Sequence, residues 1–509
     1  GAVVNANRVW QNPNRGKQLA AMWPFACANP RLCQAQSAAP VPYIRYFPQN
    51  IFSILTLYLS LQRKIIIYIM KNKFIQKISL GAALLLLTSN TTFAQAPEQS
   101  YTPTPENMKA RQEFQDNKFG IFLHWGIYSM TAQGEWYMTT HNIHRDEYAK
   151  LASGFYPSRF NAAEWVSAIK ASGAKYICIT SRHHDSFSMF DTKESDFDIV
   201  DATPFKRDVL KELADECHKQ GIKLHFYYSH LDWRRDDYPE GGGTGRGTGR
   251  PKGHGDWKSY YKFMNNQLTE LLTNYGPVGA IWFDGVWDQP KDFDWQLEEQ
   301  YALIHKLQPA CLVGNNHHRT PYAGEDFQMF ERDLPGENKA GLSGQSVSSL
   351  PLETCETMNG MWGYKIEDQN YKSPKALIHY LVKAAGKNAN LLMNIGPQPN
   401  GELPATAVDR LKKVGEWMDQ YGETIYGTRG GDVAPHPWGV STRKGDRLFI
   451  HVLDLKDNTL YIPLKAKVKK AMQFTDKASL SFKQDKDGIL LKLPKVPDDI
   501  DYVIELIIK

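Results

Sequence analysis

The chain has 509 residues, carries 42% apolar and 23% charged residues, and has a formal net charge of +5. All of that positive excess sits at one end: residues 1–96 hold ten Lys/Arg and no acidic residue, leaving 50 Lys/Arg against 55 Asp/Glu from 97 onward, a net of −5. A basic surface for nucleic acid is therefore excluded as the theme of the main body.

The first 96 residues do not read as a folded domain. Residues 1–69 are Asn/Gln/Arg-rich and then apolar, with no acid, and read as translated upstream or vector-derived sequence. Met70 then opens MKNKFIQKISLGAALLLLTSNTTFAQA, a basic stretch, an apolar stretch and an Ala94-Gln95-Ala96 cleavage pattern. This is the form of a secretory signal peptide over 70–96, too short in its apolar part to anchor comfortably in a bilayer. Export to the periplasm or the medium is expected, with no stable membrane anchor in the mature protein. Residues 97–108 (PEQSYTPTPENM) read as a flexible lead-in.

Six apolar runs follow, each stopping on a polar residue able to do chemistry. They are FGIFLHWG (His124), KYICITSRHH (His183, His184), KLHFYYS (Tyr228), VGAIWFDG (Asp284), ACLVGNN (Asn316) and NLLMNIGP (Asn394). Between them lie segments with helix-start and helix-stop signals. Asn161 precedes AAEWVSAIKASG, Asp208 precedes VLKELADECHKQG, Asp256 precedes WKSYYKFMNNQLTELLTNYG, and Ser373-Pro374 opens PKALIHYLVKAAG. Strand, polar tip and helix in repetition predict an α/β fold, a (β/α)8-type barrel over 109–428, with one pocket at the strand C-terminal ends. Residues 233–256, with GGGTGRGTGRPKGHG, are expected as a mobile rim on that face, and 332–350 as a second long loop. After Gly427, short β runs at hairpin spacing predict a small antiparallel β-sandwich over 429–509.

The strand tips suggest roles. A carboxylate at Asp284 faces the pocket mouth, and Gly285 lets the chain turn away. His124, His183 and His184 read as neutral donors to substrate hydroxyls, since no metal-ligand spacing accompanies them. Glu135-Trp136 fits a sugar subsite, the acid accepting from hydroxyls and the indole covering an apolar face. Glycoside hydrolysis needs a second carboxyl, about 5–5.5 Å from the first in a retaining enzyme and about 6.5–9.5 Å in an inverting one. Spacing leaves Glu325, Asp326, Glu331, Glu353 and Glu356 open as that partner, expected in a loop beyond the fifth run.

The segments FGIFLHWGIYS, GEWYM, GAKYICITSRHHDSF, FYYSHLDW, IWFDG, ETMNGMWGY and NLLMNIGPQPNGELP together resemble glycoside hydrolase family 29, the retaining α-L-fucosidases, over roughly 110–430. The resemblance implies a barrel with a C-terminal β-sandwich and exo-hydrolysis of terminal α-linked L-fucose from a fucosylated oligosaccharide or glycoconjugate, without cofactor or metal. It implies Asp284 as nucleophile and Glu331 as acid/base, with Glu325 in reserve. His124, Glu135, Trp136, His183, His184 and Tyr228 would line the fucose subsite. Trp282 and Trp362 would pack on the sugar, Trp362 near its methyl group. Many members carry Asn-Asp-Arg where this chain has Asn315-Asn316-His317-His318-Arg319, so His317 or Arg319 is expected to replace that arginine. Two other readings stay open: a related retaining glycosidase for another sugar such as a galactoside, and a non-catalytic fucose-binding protein.

Overall fold

The computed structural model describes residues 101–509. The leader, the cleavage pattern and everything else before residue 101 lie outside the described residues.

Eight parallel strands build the barrel: β1 Phe119–Leu123, β2 Tyr176–Arg182, β3 Lys223–Ser229, β4 Ala280–Asp284, β5 Leu312–Asn315, β6 Gln328–Glu331, β7 Leu352–Thr357 and β8 Ala389–Ile395. Their hydrogen-bonded order is β5-β4-β3-β2-β1-β8-β7-β6. The six apolar runs are β1–β5 and β8. The two strands not anticipated, β6 (QMFE) and β7 (LETCET), are short and carry too many polar residues to stand out.

The seam between β5 and β6 is closed by a side chain. Val313 N–H donates to Asp326 Oδ2 at 2.7 Å, and Asp326 N–H donates to Val313 O at 2.7 Å. Arg111 and His305 hold the same carboxylate, at 2.6 and 2.8 Å. Asp326 is thus a structural acid, removed from the list of possible proton donors.

Helix α1 (Pro105–Asn117) supplies Arg111 and starts inside the stretch expected to be a loose lead-in. Thr104 caps it, accepting from Asn107 N–H, and Pro105 sits where the missing donor costs nothing. Even Tyr101 is tied down, stacked on His305 with ring centroids 4.6 Å apart.

The outer helices are α2 Ala162–Ala171, α3 Val209–Gln220, α4 Trp257–Asn274, α5 Leu297–Leu307, α6 Pro374–Gly386 and α7 Ala405–Tyr421. The caps fall where the sequence placed them. Asn161, Asp208, Asp256 and Ser373 each accept from a first-turn N–H of α2, α3, α4 and α6.

Strand alternation splits the core in two. Phe122, Tyr176, Cys178, Tyr227, Trp282, Leu312, Met329, Cys355 and Leu392 form one buried cluster, the barrel lumen. Their strand neighbours, such as Ile177, Phe226, Tyr228, Ile281 and Phe283, join the layer beneath the helices.

C-terminal to α7, a five-stranded antiparallel sheet and a three-stranded one span Arg429 to Ile508 and enclose their own core, including Leu448, Ile450, Ile462, Leu491 and Ile504. Sequence pattern and structure agree on this sandwich.

One buried ion pair braces the active face. Arg182, at the tip of β2, is 0% exposed and donates to Asp232 Oδ2 (2.5 Å), to Ser229 O (2.5 Å) and to Tyr260 Oη (2.9 Å). Removing one partner of such a pair strands a buried charge. Asp232→Ala should therefore cost about 3–5 kcal/mol, read as a lowered urea midpoint at unchanged slope.

Candidate active site

Asp284 ends β4, with its side chain 13% exposed at the mouth of the barrel. Gly285 follows at φ +92°, and a Cβ there would meet the Leu231 backbone at 2.7 Å, so the turn requires glycine. Tyr227 Oη–H donates to Asp284 Oδ2 at 2.9 Å, and Trp287 Nε1–H donates to Oδ1 at 2.9 Å. Asn316 Nδ2 reaches Oδ1 at 3.4 Å, and His184 Nε2 lies 3.6 Å from Oδ2. The carboxylate is held by donors on both oxygens while keeping an open side.

Glu331 stands opposite. It is the last residue of β6, a strand tip like the others and not a loop residue. Its side chain is 16% exposed. Asn316 Nδ2–H donates to Glu331 Oε2 at 2.9 Å, so one amide nitrogen bridges the two carboxyl groups. The shared amide thus gathers one oxygen of each carboxyl group on the same side of the barrel mouth. Burial, reinforced by the nearby Asp284 charge, pushes the Glu331 carboxyl up to about 7.

The other acids are otherwise engaged. Glu325 accepts from His317 Nε2 at 2.8 Å and from Tyr301 Oη–H at 3.3 Å, and Tyr301 belongs to the outer helix α5. Glu353 lies within the lumen, accepting from Tyr176 Oη–H (2.6 Å) and Trp282 Nε1–H (2.9 Å). Glu356 lies beside Lys372, at 3.4 Å.

His124, His183 and His184 lie close together. The ring of His183 lies 5.8 Å from that of His124 and 4.1 Å from that of His184, and stacks on Tyr227 at 5.3 Å. Burial pulls His124 down to about 3 and His184 to about 4, and lowers His183 as well, so all three rings are neutral near pH 7. His124 Nδ1 contacts Asn394 Oδ1 at 2.6 Å, and His184 Nδ1 contacts Ser229 Oγ at 2.7 Å. Glu135 accepts from Gly363 N–H at 2.7 Å, joining the GEWYM segment to the WGY segment. Burial raises its carboxyl. Trp136 lies parallel to Trp287 at 5.9 Å and edge-on to His184 at 5.8 Å. Trp362 packs 5.3 Å from His124, and Arg332 covers its ring at 4.9 Å.

These strand-tip carboxyls, imidazoles and indoles can be set beside known proteins. Residues 87–423 match the family model described as Alpha-L-fucosidase. The chain belongs to the alpha-L-fucosidase family of glycoside hydrolases. Alpha-L-fucosidase isoenzyme 1 of Paenibacillus thiaminolyticus is 33% identical with a TM-score of 0.69, over 79% of this chain and all of that one. A trapped covalent intermediate of an alpha-L-fucosidase from Bacteroides thetaiotaomicron is 27% identical with a TM-score of 0.70, over 79% of this chain and 96% of that one. The alpha-L-fucosidase of Dictyostelium discoideum is 27% identical over 446 residues, 79% of this chain and 93% of that protein.

Two expectations carried from the fucosidase resemblance need correction. Tyr228 does not face the pocket: its hydroxyl donates to Gln267 of α4 at 2.8 Å, on the helix side of the sheet. Tyr227, one residue earlier, is the pocket tyrosine, because it pairs in register with Trp282 and so shares the inward parity of Asp284. His317 is likewise turned away, onto Glu325, and Arg319 contacts Tyr322. It is His318 that approaches the site, with Nε2 at 3.7 Å from Glu331 Oε2. Trp282 shares the inward parity of Asp284, stacked on Tyr227 at 5.6 Å with its indole N–H donating to Glu353.

Trp287 and Arg332 are pocket residues that the strand-tip pattern missed. Neither ends an apolar run; Trp287 lies in a short turn after β4, and Arg332 has φ +58° just past β6. The Gly-rich rim is anchored rather than loose. Asp288 accepts from Thr244 N–H, Thr244 Oγ1–H and Tyr238 Oη–H at 2.7–2.8 Å.

Proposed function

We propose that the protein is an exo-acting α-L-fucosidase that releases terminal α-linked L-fucose with retained configuration. The observation that carries this reading is the Asp284–Asn316–Glu331 bridge, two carboxyl groups held by one amide at the mouth of a fucosidase-family barrel. Asp284 attacks the anomeric carbon while Glu331, protonated, delivers its proton to the departing oxygen. The glycosyl ester on Asp284 is then hydrolysed by a water that Glu331 deprotonates, which restores both groups. A carboxyl pushed up to about 7 suits an acid that must hold a proton near neutrality. The covalent intermediate trapped in the Bacteroides relative supports the same double displacement. His124, His183, His184, Glu135 and Trp136 would bind sugar hydroxyls and faces, and Trp362 would lie against the methyl group.

Time-resolved proton NMR of an aryl α-L-fucoside digest tests the reading. Release of α-L-fucose before mutarotation supports it; first-formed β-L-fucose, or preference for the matching galactoside, overturns it.

Asn316 gives a pH prediction with a definite sign. Its N–H favours the ionised form of Glu331, so Asn316→Ala should raise the Glu331 pKa. Activity requires that proton, so the alkaline limb of kcat/KM, expected near pH 7 in the wild type, should move to higher pH. A limb that stays put would detach it from Glu331.

The leader at 70–96 predicts that exported protein begins at Pro97, which N-terminal sequencing of periplasmic and medium fractions checks. Barrel and sandwich are proposed to divide near residue 428, although Gln99–Lys509 forms one compact unit.

A further inference from the structure

We infer that Ser229 and Asn394 are positioning residues that lock the tautomers of His184 and His124, so that both rings present a bare Nε2 to the incoming sugar. The inference deepens the fucosidase reading and rests on it.

Proton counting fixes both tautomers. Ser229 Oγ has a single hydrogen, and it goes to the Leu231 carbonyl at 2.6 Å, an oxygen that can only accept. At its 2.7 Å contact with His184 Nδ1, Oγ must therefore be the acceptor, and Nδ1 must carry the hydrogen. Asn394 works the same way. Its Nδ2 donates to the Trp362 carbonyl at 2.7 Å, which turns Oδ1 toward His124 Nδ1 at 2.6 Å and makes that nitrogen a donor as well. A neutral imidazole with its hydrogen on Nδ1 has a lone pair on Nε2. The two rings are thus acceptors toward the pocket, the reverse of the donor role their strand-end positions first suggested. His183 has no such lock: its Nδ1 is buried without a hydrogen-bond partner.

The consequence is sharpest at His184. Its Nε2 faces Asp284 Oδ2 at 3.6 Å, two acceptors with no proton between them. A sugar hydroxyl can supply that proton when it arrives. The other tautomer would instead place N–H against the nucleophile and draw charge from it before substrate binds. Ser229 sits where it can prevent this because it pairs in register with Asp284, at the tip of the adjacent strand.

The test reads the proton directly. ¹⁵N-histidine NMR on the whole protein at pH 7, with resonances assigned by His184→Gln and His124→Gln, should show both rings neutral and protonated at Nδ1. Ser229→Ala should shift His184 toward the Nε2–H form and lower kcat/KM about 10- to 100-fold, the scale seen when a partner that orients a metal-bound histidine is lost, with an unchanged far-UV spectrum. Asn394→Leu should do the same to His124. A wild-type His184 that is cationic or protonated at Nε2 overturns the inference without any variant. So does a Ser229→Ala protein whose tautomer is unmoved, or one whose tautomer moves while kcat/KM stays within twofold. Absence of activity on every α-L-fucoside would overturn the fucosidase reading instead, and leaves the NMR result to be judged by itself.

Discussion

Asp284→Ala is expected to lower kcat on an aryl α-L-fucoside by about 10⁴-fold or more, the scale seen when a nucleophile is removed from a preorganised site. Substrate binding should change far less. The three donors to the carboxylate keep other contacts without it: Tyr227 stacks on Trp282, Trp287 lies parallel to Trp136, and Asn316 still donates to Glu331. Sodium azide should restore part of the rate to Asp284→Ala, and the product should be the fucosyl azide of inverted configuration. Asp284→Asn keeps the size of the side chain but not the charge, so a comparable loss there assigns the effect to nucleophilicity and not to the cavity. Steady-state kinetics of both variants, with azide added, check this.

The second large effect is expected at Glu331. Glu331→Ala removes the proton donor, and general acid catalysis is worth about 10²–10⁴-fold. The size should depend on the leaving group. Natural linkages, with poor leaving alkoxides, should show the whole loss, while nitrophenyl fucosides should lose much less in the first step. The alkaline limb near pH 7 should vanish from kcat/KM, because the group whose burial and whose proximity to Asp284 raise it to about 7 is gone. Glu325→Ala should lack this signature, since Glu325 is spent on His317 and Tyr301.

Much of the barrel was legible because it is written in long apolar strands and capped helices. Asn161, Asp208, Asp256 and Ser373 announced helix starts through local chemistry that tertiary context did not disturb. Strands β6 and β7 escaped because their polar residues, Gln328 and Glu353 among them, are paid for inside the fold by partners far away in sequence. That gap has a direct cost at the site. With β6 unseen, Glu331 looked like a loop residue, although it ends a strand as Asp284 does.

Residue parity explains the remaining differences. KLHFYYS offers two tyrosines at its end, and nothing local says which faces the lumen; the register with β4 decides for Tyr227. The NNHHR stretch poses the same problem. His317 turns outward to Glu325 and His318 inward to Glu331, a choice made by the turn after β5, where His318 adopts φ +58°. Asn316, which departs from the family's usual run in its surroundings, proves to be the group that bridges both carboxyls.

The most direct test of the central claim is to find where the sugar becomes attached. Glu331→Gln, incubated with an activated fucosyl donor carrying fluorine at C2, should accumulate a covalent adduct. Peptide mass spectrometry should place one deoxyfluorofucosyl group on the peptide containing Asp284, and Asp284→Asn should abolish it. An adduct on any other residue, or turnover of an α-L-fucoside to β-L-fucose with no adduct at all, would contradict the account.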